Sequence, residues 1–121
     1  MEERRVYELQ AEVYKILSNP TRLMILDCLR GKEKTVGEIV KCLNQNKSNV
    51  SQHLNYMKAV GVLCSRKEGK KVYYYISDER LLRAMDMIKR VLFERFVQCG
   101  RMINGEEVTR LFGRRGNPES G

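Results

Sequence analysis

A tight turn at Leu43-Asn44-Gln45 joins two stretches of helical apolar spacing. Leading into it, Ile39, Val40 and Leu43 form one face; after it the pattern continues through Leu54, Met57 and Val60. Both periods match an α-helix. Thr35-Val-Gly-Glu38 has the spacing of a capping box and starts the earlier helix, and Asn46 caps the later one. Asn44 tolerates the left-handed backbone that so short a connection requires. A helix-turn-helix is the arrangement that fits.

The rest of the chain must be built around that pair. Val6, Leu9, Val13, Ile16 and Leu17 follow the spacing of one helical face, so a first helix is expected over Glu2–Leu17. Asn19-Pro20 stops it and starts a second, to about Arg30, with Leu23, Ile25, Leu26 and Leu29 inward and Gly31 at its end. After Gly61 the period changes to two. Val62–Lys67 and Lys71–Ile76 read as strands around a turn at Glu68-Gly69-Lys70. Tyr73, Tyr74 and Tyr75 should alternate across that hairpin, with at least one in the core. Ser77 or Asp78 then caps a long helix to about Gln98, carrying Leu81, Leu82, Met85, Ile88, Leu92 and Phe96 on one side. Gly100 should break it, and Glu106–Phe112 could add a short helix.

The expected fold is mainly α with a β-hairpin wing (α+β): four helices, two strands and a last helix, a winged helix-turn-helix. It forms one domain over residues 1–112, with a basic, Gly-rich tail at 113–121 expected to be disordered.

The helix after the turn begins Asn46-Lys-Ser-Asn-Val-Ser-Gln-His53. Its outer face offers Lys47, Ser48, Asn49, Ser51, Gln52 and His53. Such side chains hydrogen-bond base edges and phosphates; the plainer alternative is a solvated helix face. Charge favours the first reading. The chain carries a formal net charge of +8, and between Lys47 and Tyr75 six bases face one acid, Glu68. Four of those bases, Arg66, Lys67, Lys70 and Lys71, surround the hairpin tip, where phosphate or minor-groove contact is expected. Double-stranded DNA is the partner this implies.

Other classes are excluded on simple grounds. No apolar run approaches the roughly 20 residues that span a bilayer, and Met1-Glu-Glu-Arg-Arg leads into an amphipathic pattern with no signal-peptide core. The expected place is the cytoplasm, with no membrane partner. With a single His and no nucleophile–base–orienter set, nothing resembles an active site, and no cofactor is expected. Among binding modules, a winged helix that docks on protein is the alternative. It would leave the polar face at 47–53 dispensable.

The blocks Leu17-Ser-Asn-Pro-Thr-Arg-Leu-Met-Ile-Leu26, Val50-Ser-Gln-His-Leu54, Gly61-Val-Leu63 and Arg66-Lys-Glu-Gly-Lys-Lys-Val-Tyr-Tyr-Tyr75 together resemble the ArsR/SmtB family of repressors, over about residues 10 to 95. The resemblance implies transcriptional repression by a homodimer joined through the first and last helices. It also implies a palindromic operator and release when an effector changes the dimer. The residues agree on one point: Val6, Val13, Leu92, Phe93 and Phe96 are more apolar surface than so small a core can absorb. Arg22, in the Asn-Pro-Thr-Arg block, would reach a phosphate or pair with an acid.

The resemblance also shows what is missing. One metal site of the family is a Cys-x-Cys where this chain has Thr35-Val36-Gly37. Another uses Asp, His, His and Glu where it has Asp78, Arg80, Val91 and Glu94. No metal site is therefore expected at either place. Some members sense persulfides or oxidants through a Cys in the second helix and one in the last. Cys28 and Cys99 lie in those elements, with Cys28 one residue past the usual place, which is Asp27. A thiol-responsive repressor using Cys28 and Cys99 is thus an alternative. A soft metal between subunits, a small molecule, or no effector are the others. Cys28, Cys42 and Cys64 otherwise read as small buried hydrophobes.

Overall fold

A computed structural model describes residues 2–99. The elements run α1 (Glu2–Ile16), α2 (Pro20–Cys28), β1 (Lys34–Thr35), α3 (Val36–Leu43), α4 (Lys47–Ala59), β2 (Leu63–Glu68), β3 (Lys71–Ile76) and α5 (Arg80–Cys99). This is the expected winged helix-turn-helix with one additional strand. The break at Gly100, the short helix at 106–112 and the tail at 113–121 lie outside the described residues.

The chain divides after Leu82 into two compact units. The core of the first unit draws one or more side chains from every helix. Ile16, Ile25, Leu26, Leu29, Ile39, Val50, Leu54 and Met57 are fully buried, and Val62, Leu63, Ile76 and Leu82 nearly so. No polar or charged residue is buried among the described residues. This core is a hydrophobic one, stabilised at roughly 1.5–3 kcal/mol for each large side chain removed from water.

Helix ends follow their local chemistry. Asn19 accepts from the Arg22 N–H at 3.2 Å, with Pro20 at the first helical position. Thr35 and Glu38 close a reciprocal capping box, at 3.2 Å and 2.9 Å. Asn44 ends α3 at φ 56, ψ 47, the only described non-glycine residue with positive φ. The chain leaves α3 by this one left-handed residue, and its N–H still reaches the Val40 carbonyl at 2.8 Å. Asn46 then accepts from the Asn49 N–H at 2.7 Å and opens α4. Asp78 receives the Arg80 N–H at 2.9 Å and starts α5.

Helix α2 stops at Cys28, two residues short of the expected end, with Leu29 as its cap. The unexpected strand β1 pairs antiparallel with β3, Lys34 opposite Tyr74 and Thr35 opposite Tyr73. The sheet order is therefore β1-β3-β2. Two residues directly ahead of a capping box give no period to read, so only the pairing reveals this strand. β2 runs one residue further than expected, to Glu68, which faces Lys71. That leaves a two-residue loop, with Gly69 at φ 63 in the first position, where a tight hairpin turn needs positive φ.

In the second unit α5 continues as an amphipathic helix. Met87, Ile88, Val91, Leu92 and Val97 are exposed. Helix α1, in the first unit, also shows an apolar surface, through Val6, Tyr7, Leu9 and Tyr14. No helix among the described residues is long and apolar enough to cross a membrane.

Candidate nucleic-acid interface

Helix α4 turns Val50, Leu54 and Met57 into the core. At about 100° per residue, the opposite side carries Lys47, Ser48, Gln52 and Asn55, all exposed, with Ser51 half-buried beside them. Four of these five positions were expected from sequence. Asn55 was not, although it lies one turn past Ser51 on the same face.

Two hydrogen-bonded links fix that face. In the first, Thr21 Oγ1 donates to Gln45 Oε1 at 3.3 Å, and Asn49 Nδ2 donates to the same oxygen at 3.0 Å. One amide thus ties α2, the turn and α4 together. In the second, Arg22 reaches from α2 to α4. Its Nε donates to His53 Nδ1 at 3.1 Å, its Nη1 donates to the Lys15 carbonyl at 3.1 Å, and its guanidinium lies 4.3 Å from the centre of the Tyr56 ring. Arg22 pairs with a histidine in place of the acid suggested by sequence. The long separation of residues 22 and 53 hides such a contact from any local pattern.

An Nδ1 that accepts a hydrogen bond carries no proton. Neutral His53 therefore bears its proton on Nε2, a donor suited to a phosphate oxygen or a base-edge acceptor. Burial lowers the His53 pKa from its ordinary 6.5, and the neighbouring Arg22 charge lowers it further. The sign follows from linkage. Near pH 6.5 the unfolded chain takes up a proton that the folded chain refuses, so stability rises with pH there. That stability is fully present above about pH 6.5. It falls as pH drops through that value and levels off below the folded pKa. With one histidine in the chain, an NMR titration gives one imidazole curve. Its midpoint is expected below 6.5 and should rise, without fully recovering, in Arg22→Met. A midpoint at or above 6.5 in the unsubstituted chain would contradict the contact.

The wing presents Lys67, Lys70 and Lys71 at its tip, all exposed. None is paired with a carboxylate among the described residues. Arg66 is different. It meets Glu33 and Glu68 at 2.7 Å each and lies 4.6 Å over the Tyr73 ring. The hydrogen bonds it donates to Glu68 and then to Glu33 push its pKa up. Its charge is thus shared with two acids, and the link to Glu33 anchors the wing to the loop before β1. Tyr73, Tyr74 and Tyr75 are all half-buried, with Tyr73 serving as the platform under Arg66.

The cysteines separate by environment. Cys28 is buried, Cys64 half-buried, and Cys42 and Cys99 exposed. Cys42 corrects the expectation of burial: α3 turns Ile39 and Leu43 inward, which leaves Cys42 outward. Among the described residues no group of three or more His, Cys, Asp or Glu side chains is placed to hold a metal ion.

Comparison with known proteins agrees with this geometry. Residues 19–64 match the family model described as bacterial regulatory protein, arsR family. An HTH-type transcriptional regulator of Methanocaldococcus jannaschii, itself uncharacterised, is 37% identical over 83 residues. That covers 68% of this chain and 93% of that protein. The transcriptional repressor SdpR of Bacillus subtilis is 38% identical over 65 residues, covering 54% of this chain and 72% of SdpR. The solution structure of a homodimeric winged helix-turn-helix DNA-binding domain from Mycobacterium bovis superposes with a TM-score of 0.70 at 31% identity. It covers 78% of this chain and 87% of that one.

Proposed function

The chain belongs to the ArsR family of winged helix-turn-helix transcriptional repressors, and we propose that it acts as a homodimer on a palindromic operator, with α4 in the major groove and the wing on the flanking backbone. As a transcriptional regulator it is not an enzyme. One observation carries the proposal: the polar outer face of α4 is exposed while the Thr21–Gln45–Asn49 and Arg22–His53 links hold that helix at a fixed angle. A helix fixed from behind can present side chains to base edges without ordering itself at the moment of binding.

The roles divide by chemistry. Lys47 and Ser48, in the first turn of α4, suit phosphate, because a helix N-terminus favours anions. Ser51, Gln52 and His53 are the base-edge candidates, with Asn55 added by the structure. Asn49 serves first to hold Gln45. In the wing, Lys67, Lys70 and Lys71 contact phosphate, and Arg66 does so only by exchanging one of its carboxylates. A DNA partner supports a cytoplasmic location.

Dimerisation follows from what α1 and α5 leave uncovered. Val6, Tyr7 and Leu9 on one, and Met87, Ile88, Val91 and Leu92 on the other, are each 42–69% exposed. Such stripes mark interfaces, and a two-fold partner buries both. In a two-fold dimer the paired α4 helices enter half-sites about 34–36 Å apart, one turn of B-DNA. Footprinting on the DNA upstream of the chain's own coding region, with sedimentation of the free protein, tests this. The expected result is a dimer that protects two inverted half-sites about one turn apart. A monomer, or a footprint without symmetry, would overturn it. A protein-docking winged helix would give no footprint at all.

A further inference from the structure

Among the described residues, Arg66 is the one base of the wing held by carboxylates. It lies on β2 opposite Tyr73 of β3, and Tyr73 lies opposite Thr35 of β1. These three residues form one row across the sheet. The Arg66 side chain lies over the Tyr73 ring, and its Nε donates at 2.7 Å to Glu33, two residues before Thr35. Its Nη1 donates at 2.7 Å to Glu68, two residues further along its own strand. Residues two apart on a strand share a face, which sets Glu68 beside Arg66.

We propose that Glu33 restrains DNA binding: by holding Arg66 across the sheet, it keeps that guanidinium off the phosphate backbone. It thereby sets the affinity for duplex DNA of any sequence below what four wing bases would give. The inference rests on the reading of the wing as a backbone contact. One base between two acids makes a cluster of net charge −1 (one minus two) beside Lys67, Lys70 and Lys71. An approaching phosphate meets that negative cluster. To reach Arg66 it must displace a carboxylate that already accepts a charge-assisted hydrogen bond. With Glu33 neutralised the cluster falls to zero (one minus one), and an uncharged amide gives way to phosphate more readily. A phosphate contact carries no sequence information, so the restraint acts on operator and non-operator DNA alike.

Seating the wing does not depend on Glu33. Lys34, the next residue, pairs with Tyr74, and Thr35 pairs with Tyr73, so the sheet already joins this loop to β3. The Arg66 and Glu33 side chains are 44% and 41% exposed, and an ion pair so placed adds little to stability. Its larger effect is on the charge that the wing presents. The two roles predict opposite signs. A lost anchor loosens the wing and weakens binding, whereas a lost restraint frees Arg66 and tightens it.

The test uses the full chain, the upstream duplex and a scrambled duplex of the same length, with fluorescence anisotropy across a salt series. Glu33→Gln is expected to bind both duplexes more tightly while melting like the parent. Its log–log salt slope should be steeper by about 0.9 for each subunit, or about 1.8 in a dimer. The gain over the parent should then shrink about tenfold between roughly 50 and 200 mM salt. Weaker binding, an unchanged slope, or a gain confined to the upstream duplex would overturn the inference. A double-mutant cycle shows whether Glu33 acts through Arg66. Adding Glu33→Gln to an Arg66→Gln chain should leave the slope as it was. A gain as large as in the parent background would mean that Glu33 repels DNA directly, and would overturn the restraint. The Lys67, Lys70 and Lys71 to Gln chain separates this inference from the reading beneath it. If that chain keeps the parental slope, the wing does not touch the backbone and both fall. If that chain loses slope while Glu33→Gln matches the parent, only the restraint falls.

Discussion

A Leu54→Ala chain should lose about 2–5 kcal/mol of stability. Leu54 is fully buried and lies on the inner side of α4, between Val50 and Met57. Its removal costs the transfer energy of the missing carbons and leaves a cavity, because the capping residue at one end of α4 and the strand packed beyond the other resist collapse. Domains of this size have about 5–15 kcal/mol in total, so this one change removes a large share. At roughly 4–8 °C per kcal/mol, the midpoint of thermal unfolding by circular dichroism should fall by more than 8 °C. Leu54→Met keeps the volume and should cost less than about 1.5 kcal/mol. Equal melting of both variants with the parent would mean that α4 is not seated on the core. Its outer face would then have no fixed direction.

The second large effect concerns the wing. Neutralising Lys67, Lys70 and Lys71 together to Gln should weaken binding to every duplex alike and flatten its dependence on salt. Each phosphate neutralised contributes about 0.9 to the log–log slope on B-DNA. Six wing lysines in a dimer would account for a slope near 5, or about a thousandfold loss of affinity between roughly 50 and 200 mM salt. The variant should lose most of that slope while melting like the parent, since all three side chains are exposed. Fluorescence anisotropy across a salt series reads the slope directly. A slope unchanged within about 1 would show that the wing does not touch the backbone. Arg66→Gln belongs in a separate chain, because Arg66 also ties Glu33 to the wing and its loss would mix structure with charge.

What the sequence made legible follows from the range of each interaction. The capping box at Thr35, the left-handed Asn44 and the Asn46 cap act within a few residues, so their spelling is local and their positions were readable. The change of period at Gly61 marked the wing for the same reason. β1 was invisible because its two residues take their conformation from a partner about forty positions away. The Arg22–His53 hydrogen bond and the Arg66–Glu33 ion pair were hidden in the same manner. Arg22 was noticed through its family block, yet its partner could be found only in three dimensions. Cys42 shows a different gap. Its apolar neighbours suggested burial, but a helix needs only one inward face, and Ile39 and Leu43 already supply it.

The functional face was readable in outline and altered in detail. Lys47, Ser48 and Gln52 stand outward as expected. Asn49 and His53 have a second duty, since each is held by a hydrogen bond from or to a residue that anchors α4. The recognition helix therefore invests part of its polar surface in being positioned. That arrangement links α2 and the turn to the reading face.

The most direct test of the central claim is a titration of the upstream duplex and a scrambled duplex of the same length, with the parent chain and Gln52→Ala. Gln52 is exposed in the middle of α4, so its replacement leaves the fold intact. If α4 reads base edges, the parent should prefer the upstream duplex by about 10³-fold or more. Gln52→Ala should lose roughly 1–3 kcal/mol of that preference for each half-site contact, while its binding to the scrambled duplex stays the same. Equal affinity of the parent for both duplexes, or a Gln52→Ala chain with undiminished preference, would contradict the account.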